Sequence, residues 1–128
     1  VHIETCDHLQ DNLQQIKSLG MNPGIAINPN TDIALLEPFL DEAYLICVMS
    51  VFPGFGGQKF IESQVDKVRR LKAMCADKGV NPWIEIDGGV DLQNAGKLLK
   101  AGADVLVAGN TVFSAPKPVE MIRQLIGC

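Results

Sequence analysis

Asp87 closes a short apolar run, 'WIEID' (Trp83 to Asp87), and is followed at once by Gly88 and Gly89. A carboxylate at a strand end can exchange a carbon-bound proton, while the bare glycine amides beside it stay open to an anion. Alternation along 'WIEID' puts Glu85 and Asp87 on one face and Ile84 and Ile86 on the other. The loop 'PGFGG' (Pro53 to Gly57) has three glycines in four positions, so its backbone can approach a phosphate closely, with Phe55 placed to pack over the ligand. A third glycine turn, 'AGN' (Ala108 to Asn110), precedes 'TVF' (Thr111 to Phe113), which is expected to form a short extra helix. These features point to a phosphate-bearing ligand and one acid/base carboxylate. Two plainer readings stand beside them. 'PGFGG' also fits a turn that needs positive φ, and Asp87 also fits an Asx-type cap over the Gly-Gly turn.

The remaining polar residues carry weaker signals. His2 shares a strand face with Glu4, a placement compatible with pointing into a barrel, and His8 sits at the start of a helix as an exposed or capping residue. Neither has a partner at metal-ligand spacing, so a complete zinc site within the chain is not expected. Met49 reads first as core filler. No Ser-His-Asp order, P-loop or GxGxxG fingerprint is present, which argues against acyl transfer, nucleotide hydrolysis and dinucleotide binding.

The elements that must position Asp87 and the glycines alternate strand and helix five times. 'VHIE' (Val1 to Glu4) reads as the first strand, followed by a helix with Leu9, Leu13 and Ile16 on one face and Gly20 at its C′ position. 'GIAIN' (Gly24 to Asn28) is the second strand, and Thr31 or Asp32 caps a short helix through Leu35, Leu36 and Phe39. 'LICVMSV' (Leu45 to Val51) has the near-continuous apolarity of a parallel strand covered on both faces. A long helix carries Ile61, Val65, Val68, Leu71 and Cys75. After 'WIEID', Asp91 caps a helix bearing Leu92, Ala95, Leu98 and Leu99, and 'DVLVAG' (Asp104 to Gly109) is the fifth strand. The last helix starts near Pro118, with Val119, Ile122 and Ile126 expected on its inner face.

This is an α/β chain with parallel strands. An open doubly wound sheet usually carries its glycine turn after the first strand. Here the glycine clusters follow the third, fourth and fifth strands, which favours a (β/α)₈ barrel whose strand ends converge on one site. If those last two strands are strands seven and eight, three more precede Val1, which is not an initiator Met. Residues 1–128 are then the C-terminal portion of a single TIM-barrel domain, an incomplete barrel of five β/α units.

Composition narrows the function classes. Charged residues are 20% and the net charge is −4 without a basic cluster, so nucleic acid is not an expected partner. No apolar stretch approaches the ~20 residues that span a bilayer, so no membrane partner is expected either. The four cysteines are widely spaced, which suits free thiols in a reducing, cytoplasmic compartment.

'MSVFPGFGGQKF' (Met49 to Phe60), 'EIDGGV' (Glu85 to Val90) and 'VAGNTVF' (Val107 to Phe113) closely resemble three consecutive motifs of the ribulose-phosphate 3-epimerase family. 'VHIE' and 'GIAINPNT' resemble its fourth and fifth strands. The resemblance implies a (β/α)₈ barrel that interconverts D-ribulose 5-phosphate and D-xylulose 5-phosphate. It implies two aspartates on opposite faces of C3, and a divalent metal ion (Zn, Fe, Mn or Co) held by them and two histidines. Asp87 matches the second aspartate, as proton donor and metal ligand. Gly54, Phe55, Gly56, Gly57, Gly88, Gly89, Gly109 and Asn110 match the substrate and phosphate contacts. Asn110 stands where the family often has Ser, and Phe52 where it often has Asn or Glu. The first aspartate and both histidines belong to strands expected upstream of Val1, so this chain alone is expected to be inactive. At full length a homo-oligomer is expected. Two alternatives stay open: a non-catalytic phosphate-binding or self-associating partial-barrel module, and an epimerase of a hexulose phosphate such as allulose 6-phosphate.

Overall fold

A computed structural model describes all residues, 1–128. Four parallel strands form one sheet in the order β1-β2-β3-β4: β1 Gly24–Ile27, β2 Leu45–Met49, β3 Trp83–Asp87 and β4 Val105–Val107. Each strand pairs with the next in sequence, and the order never reverses. A doubly wound sheet would show a reversal at its switch point, so this is the arrangement of a partial barrel.

The helices are α1 Leu9–Ser18, α2 Gln64–Lys78, α3 Ala95–Ala101, α4 Gly109–Phe113 and α5 Pro118–Ile126. The Ile33–Phe39 segment forms a 3₁₀ helix whose cap, Asp32, accepts from the Ala34 amide at 3.0 Å. Alternation along the strands sends Ile25, Ile27, Ile46, Val48, Ile84 and Ile86 to the helical side, all fully buried. There they join Leu9 and Leu13 of α1, Val68, Leu71 and Cys75 of α2, and Ala95, Leu98 and Ala101 of α3 in one core cluster. Burying each such aliphatic side chain stabilises the fold by roughly 1.5–3 kcal/mol before the entropy of ordering is counted. The other face of the sheet carries Ala26, Cys47, Met49, Glu85 and Asp87, and it is this face that the site uses.

Four expectations need correction. 'VHIE' makes only an isolated parallel bridge, His2 to Ala26, before a 3₁₀ turn at Ile3–Thr5, because it pairs on one side alone. Ile61 precedes α2, its amide donating to Ser50 O, and Leu92 precedes α3 and is exposed. β2 is covered unevenly: Ile46 and Val48 are fully buried on one face, while on the other Met49 is buried and Cys47 half-buried. On α5 no residue is buried: Leu125 is half-buried against the core, while Val119 is 61% and Ile126 80% exposed, because the helix turns Leu125 and not those residues inward.

Candidate active site

β2, β3 and β4 run parallel, so the loops that follow them emerge on the same rim. Their turns border one cavity of about 840 Å³. Asp87, Gly54, Phe55, Gly56, Gly57, Gly88, Gly89, Gly109 and Asn110 all line it, together with Met49, Lys59 and His2. Residues as far apart in the sequence as His2 and Asn110 thus share one concavity.

The turn after β3 is clamped from three sides. Ser50, fully buried at the end of β2, donates its hydroxyl to Gly88 O at 2.6 Å, and its amide donates to Asp87 O at 2.8 Å. Asn94 donates to Gly89 O at 2.9 Å and accepts from the Asp91 amide at 2.9 Å. The Thr111 hydroxyl donates to Val90 O. Gly88 and Gly89 have positive φ, +126° and +63°. A Cβ on Gly88 would lie 2.5 Å from Val51 Cγ2, and one on Gly89 2.7 Å from Phe60 N. No other residue fits there.

The Asx-cap reading of Asp87 does not hold. The Asx-type turn belongs to Asp91, which accepts from the Gln93 and Asn94 amides at 2.8 and 3.1 Å ahead of α3. Asp87 bonds through its backbone, and its carboxylate is left to the cavity, opposite Met49 in the strand register. The amides of Gly57, Gly88 and Gly89 donate to no backbone acceptor in the chain. They are therefore available to an anion, the usual use of bare turn amides.

The loop after β2 is shaped by one side chain. Gln58 donates to Phe52 O at 2.6 Å and to Phe55 O at 2.9 Å. Phe55 is 75% exposed and packs over nothing within the chain. A Cβ on Gly57 would come within 3.9 Å of the Asn110 side chain, so this loop and the turn after β4 are adjacent.

The donor set does not make a metal site by itself. No three His, Cys, Asp or Glu side chains gather closely enough to hold an ion. Asp87 supplies one carboxylate. Cys47, on the same sheet face, has its thiol pushed up to about 12 by burial and by the charges of Glu85 and Asp87, so by itself it stays protonated near neutral pH.

Ser50, Asn94 and Thr111 were not singled out from the sequence. Ser50 alone left a local trace, as the one hydroxyl within an apolar run. The other two act on residues of a different turn. His2 borders the cavity although no motif selects it. No helix is long and apolar enough to cross a membrane.

Comparison with known proteins completes the description. The profile of the ribulose-phosphate 3 epimerase family matches residues 1–113. The chloroplastic ribulose-5-phosphate-3-epimerase of Arabidopsis thaliana is 54% identical over 116 residues, 91% of this chain and 41% of that protein. The ribulose-phosphate 3-epimerases of Synechocystis and Bacillus subtilis are 46% and 40% identical, over 95% and 99% of this chain and 54% and 59% of theirs. The chain spans about half the length of these relatives. The 3-hexulose-6-phosphate synthase of Salmonella typhimurium superposes with a TM-score of 0.58 at 18% identity, over 91% of this chain and 53% of that one, a likeness of fold. With its parallel sheet, its glycine-lined rim and a profile match over most of its length, the chain belongs to the ribulose-phosphate 3-epimerase family.

Proposed function

We propose that the cavity takes a ketopentose 5-phosphate, that its glycine turns hold the phosphate, and that Asp87 exchanges the proton on one face of C3. The reaction is the interconversion of D-ribulose 5-phosphate and D-xylulose 5-phosphate. The observation that carries this reading is a carboxylate with no structural duty standing beside amides with no acceptor. Removal of the C3 proton next to the C2 ketone leaves an enediolate, and return of a proton to the opposite face completes epimerisation. Phosphate held remotely fixes C3 against the carboxylate, so binding energy is used for orientation.

One carboxylate serves one face of a held sugar. The other carboxylate bordering the cavity, Asp91, is occupied in the turn ahead of α3. The acid/base for the second face is therefore proposed to lie outside these residues, and the chain by itself to be inactive. A divalent metal would likewise need ligands beyond Asp87. The bare apolar face of α5 supports the companion proposal that residues 1–128 are one portion of a (β/α)₈ barrel, with further polypeptide packed there.

The test is exchange of the C3 proton with deuterated water, followed by NMR, in an epimerase that contains this chain. Asp87→Asn should slow epimerisation, and C3 exchange in the one epimer whose C3–H faces Asp87, by about 10²–10⁴-fold. The other epimer should keep the exchange that the second acid/base performs. The fold should be unchanged, because the carboxylate caps nothing. Exchange retained at the parent rate with both D-ribulose 5-phosphate and D-xylulose 5-phosphate removes Asp87 from this role.

A further inference from the structure

His2 stands at the edge of the same cavity, in line with the sheet. It bridges Ala26, which pairs with Cys47, which pairs with Glu85, so His2 occupies the layer just below Met49 and Asp87. Its ring is held from behind. Glu4 Oε2 lies 3.5 Å from His2 Nδ1, and Glu4 Oε1 accepts from the Asn28 amide at 2.6 Å. Lys67 in turn donates to Asn28 O and Pro29 O at 2.8 and 3.0 Å. Burial pushes the Glu4 carboxyl up, but the hydrogen bonds from Asn28 and Thr31 outweigh it, and Glu4 is held below the ordinary carboxylate range. A carboxylate 3.5 Å from Nδ1 favours the tautomer with the proton on that nitrogen, in which Nε2 is the ring's acceptor.

We propose that His2 is a further substrate-binding residue, its Nε2 accepting a hydrogen bond from a hydroxyl of the ketose phosphate, with Glu4 as its positioning residue. The inference rests on the ketopentose-phosphate reading of the cavity and adds to it a contact on the sugar rather than on the phosphate. The second histidine, His8, is exposed at the start of α1 and lines no part of the cavity, so it serves as an internal control.

Long-range ¹H–¹⁵N NMR of the chain reads both imidazole tautomers. His2 should appear as the Nδ1–H form, and Glu4→Ala should return it to the commoner Nε2–H form. Added D-ribulose 5-phosphate should move the His2 ring signals and the Gly57, Gly88 and Gly89 amides while His8 stays still. Inorganic phosphate should move the glycine amides alone. His2→Phe should weaken ribulose 5-phosphate binding about tenfold, the worth of one hydrogen bond, and leave phosphate binding unchanged. Glycine amides that move with a silent His2, and unchanged affinity in His2→Phe, would overturn the inference and leave the cavity reading standing. Silence from glycines and His2 alike would overturn both.

Discussion

A Cβ built on Gly88 or Gly89 would fall within 3 Å of Val51 or Phe60, whereas one on Gly54 or Gly56 would meet nothing within 4 Å. Both glycine turns border the cavity, and composition alone does not tell them apart. The turn after β3 is a floor pressed between backbones and clamped by Ser50, Asn94 and Thr111. The loop after β2 is an arch held by Gln58 alone. Glycine is required in the floor by space and φ. In the arch φ alone requires it at Gly54 (+148°) and Gly57 (+76°), and at Gly56 its use is to leave an amide uncovered. The rigid turn is also the one that carries Asp87, and a proton-transfer group gains most from fixed geometry.

The difference can be broken by substitution. Gly89→Ala should cost about 3 kcal/mol or more in a urea titration, because positive φ and backbone overlap add. A loss under about 1 kcal/mol would mean that the floor gives way and is not a clamp. Alkaline pH sharpens the contrast from below. The Cys47 thiol is raised from 9.0 to about 12. Its contribution to stability is therefore complete below pH 9 and should decline as pH rises toward 12, since the unfolded chain then releases a proton that the folded chain keeps. Cys47→Ala should flatten that decline.

Smaller effects are expected in the arch. Gln58→Ala should cost about 1 kcal/mol and shift the amide NMR signals of residues 54–57, with no change in the turn after β3. Gly56→Ala should change stability by no more than about 0.5 kcal/mol. A larger loss there would show that the arch is as tightly packed as the floor.

Much of this was legible in the chain. 'GIAIN', 'LICVMSV' and 'WIEID' announced β1, β2 and β3, and Asp32 announced a cap that forms, because strand alternation and capping are local effects. Asp91 instead holds the turn before α3, whose N-cap is Asn94. Leu9 and Leu13, or Ala95 and Leu98, faced the core as their spacing required. Other features had no local cause. 'VHIE' has strand-like residues but reaches only a bridge. Val119, Ile122 and Ile126 keep an apolar spacing that finds no partner, since periodicity names a face and not what covers it. Ser50, Asn94 and Thr111 became clamps only because three turns met.

By itself the sequence determined the strand-helix alternation, the site of each glycine turn and the face of β3 on which Asp87 stands, since each depends on neighbours a few residues away. The tertiary structure alone decided that the strands run in unbroken order and that the turns gather at one rim. It also decided that the Asp87 carboxylate is free while Asp91 is spent, and that His2 reaches the same cavity. Those are matters of long-range packing, where the partner of each group lies tens of residues distant and no local pattern encodes it.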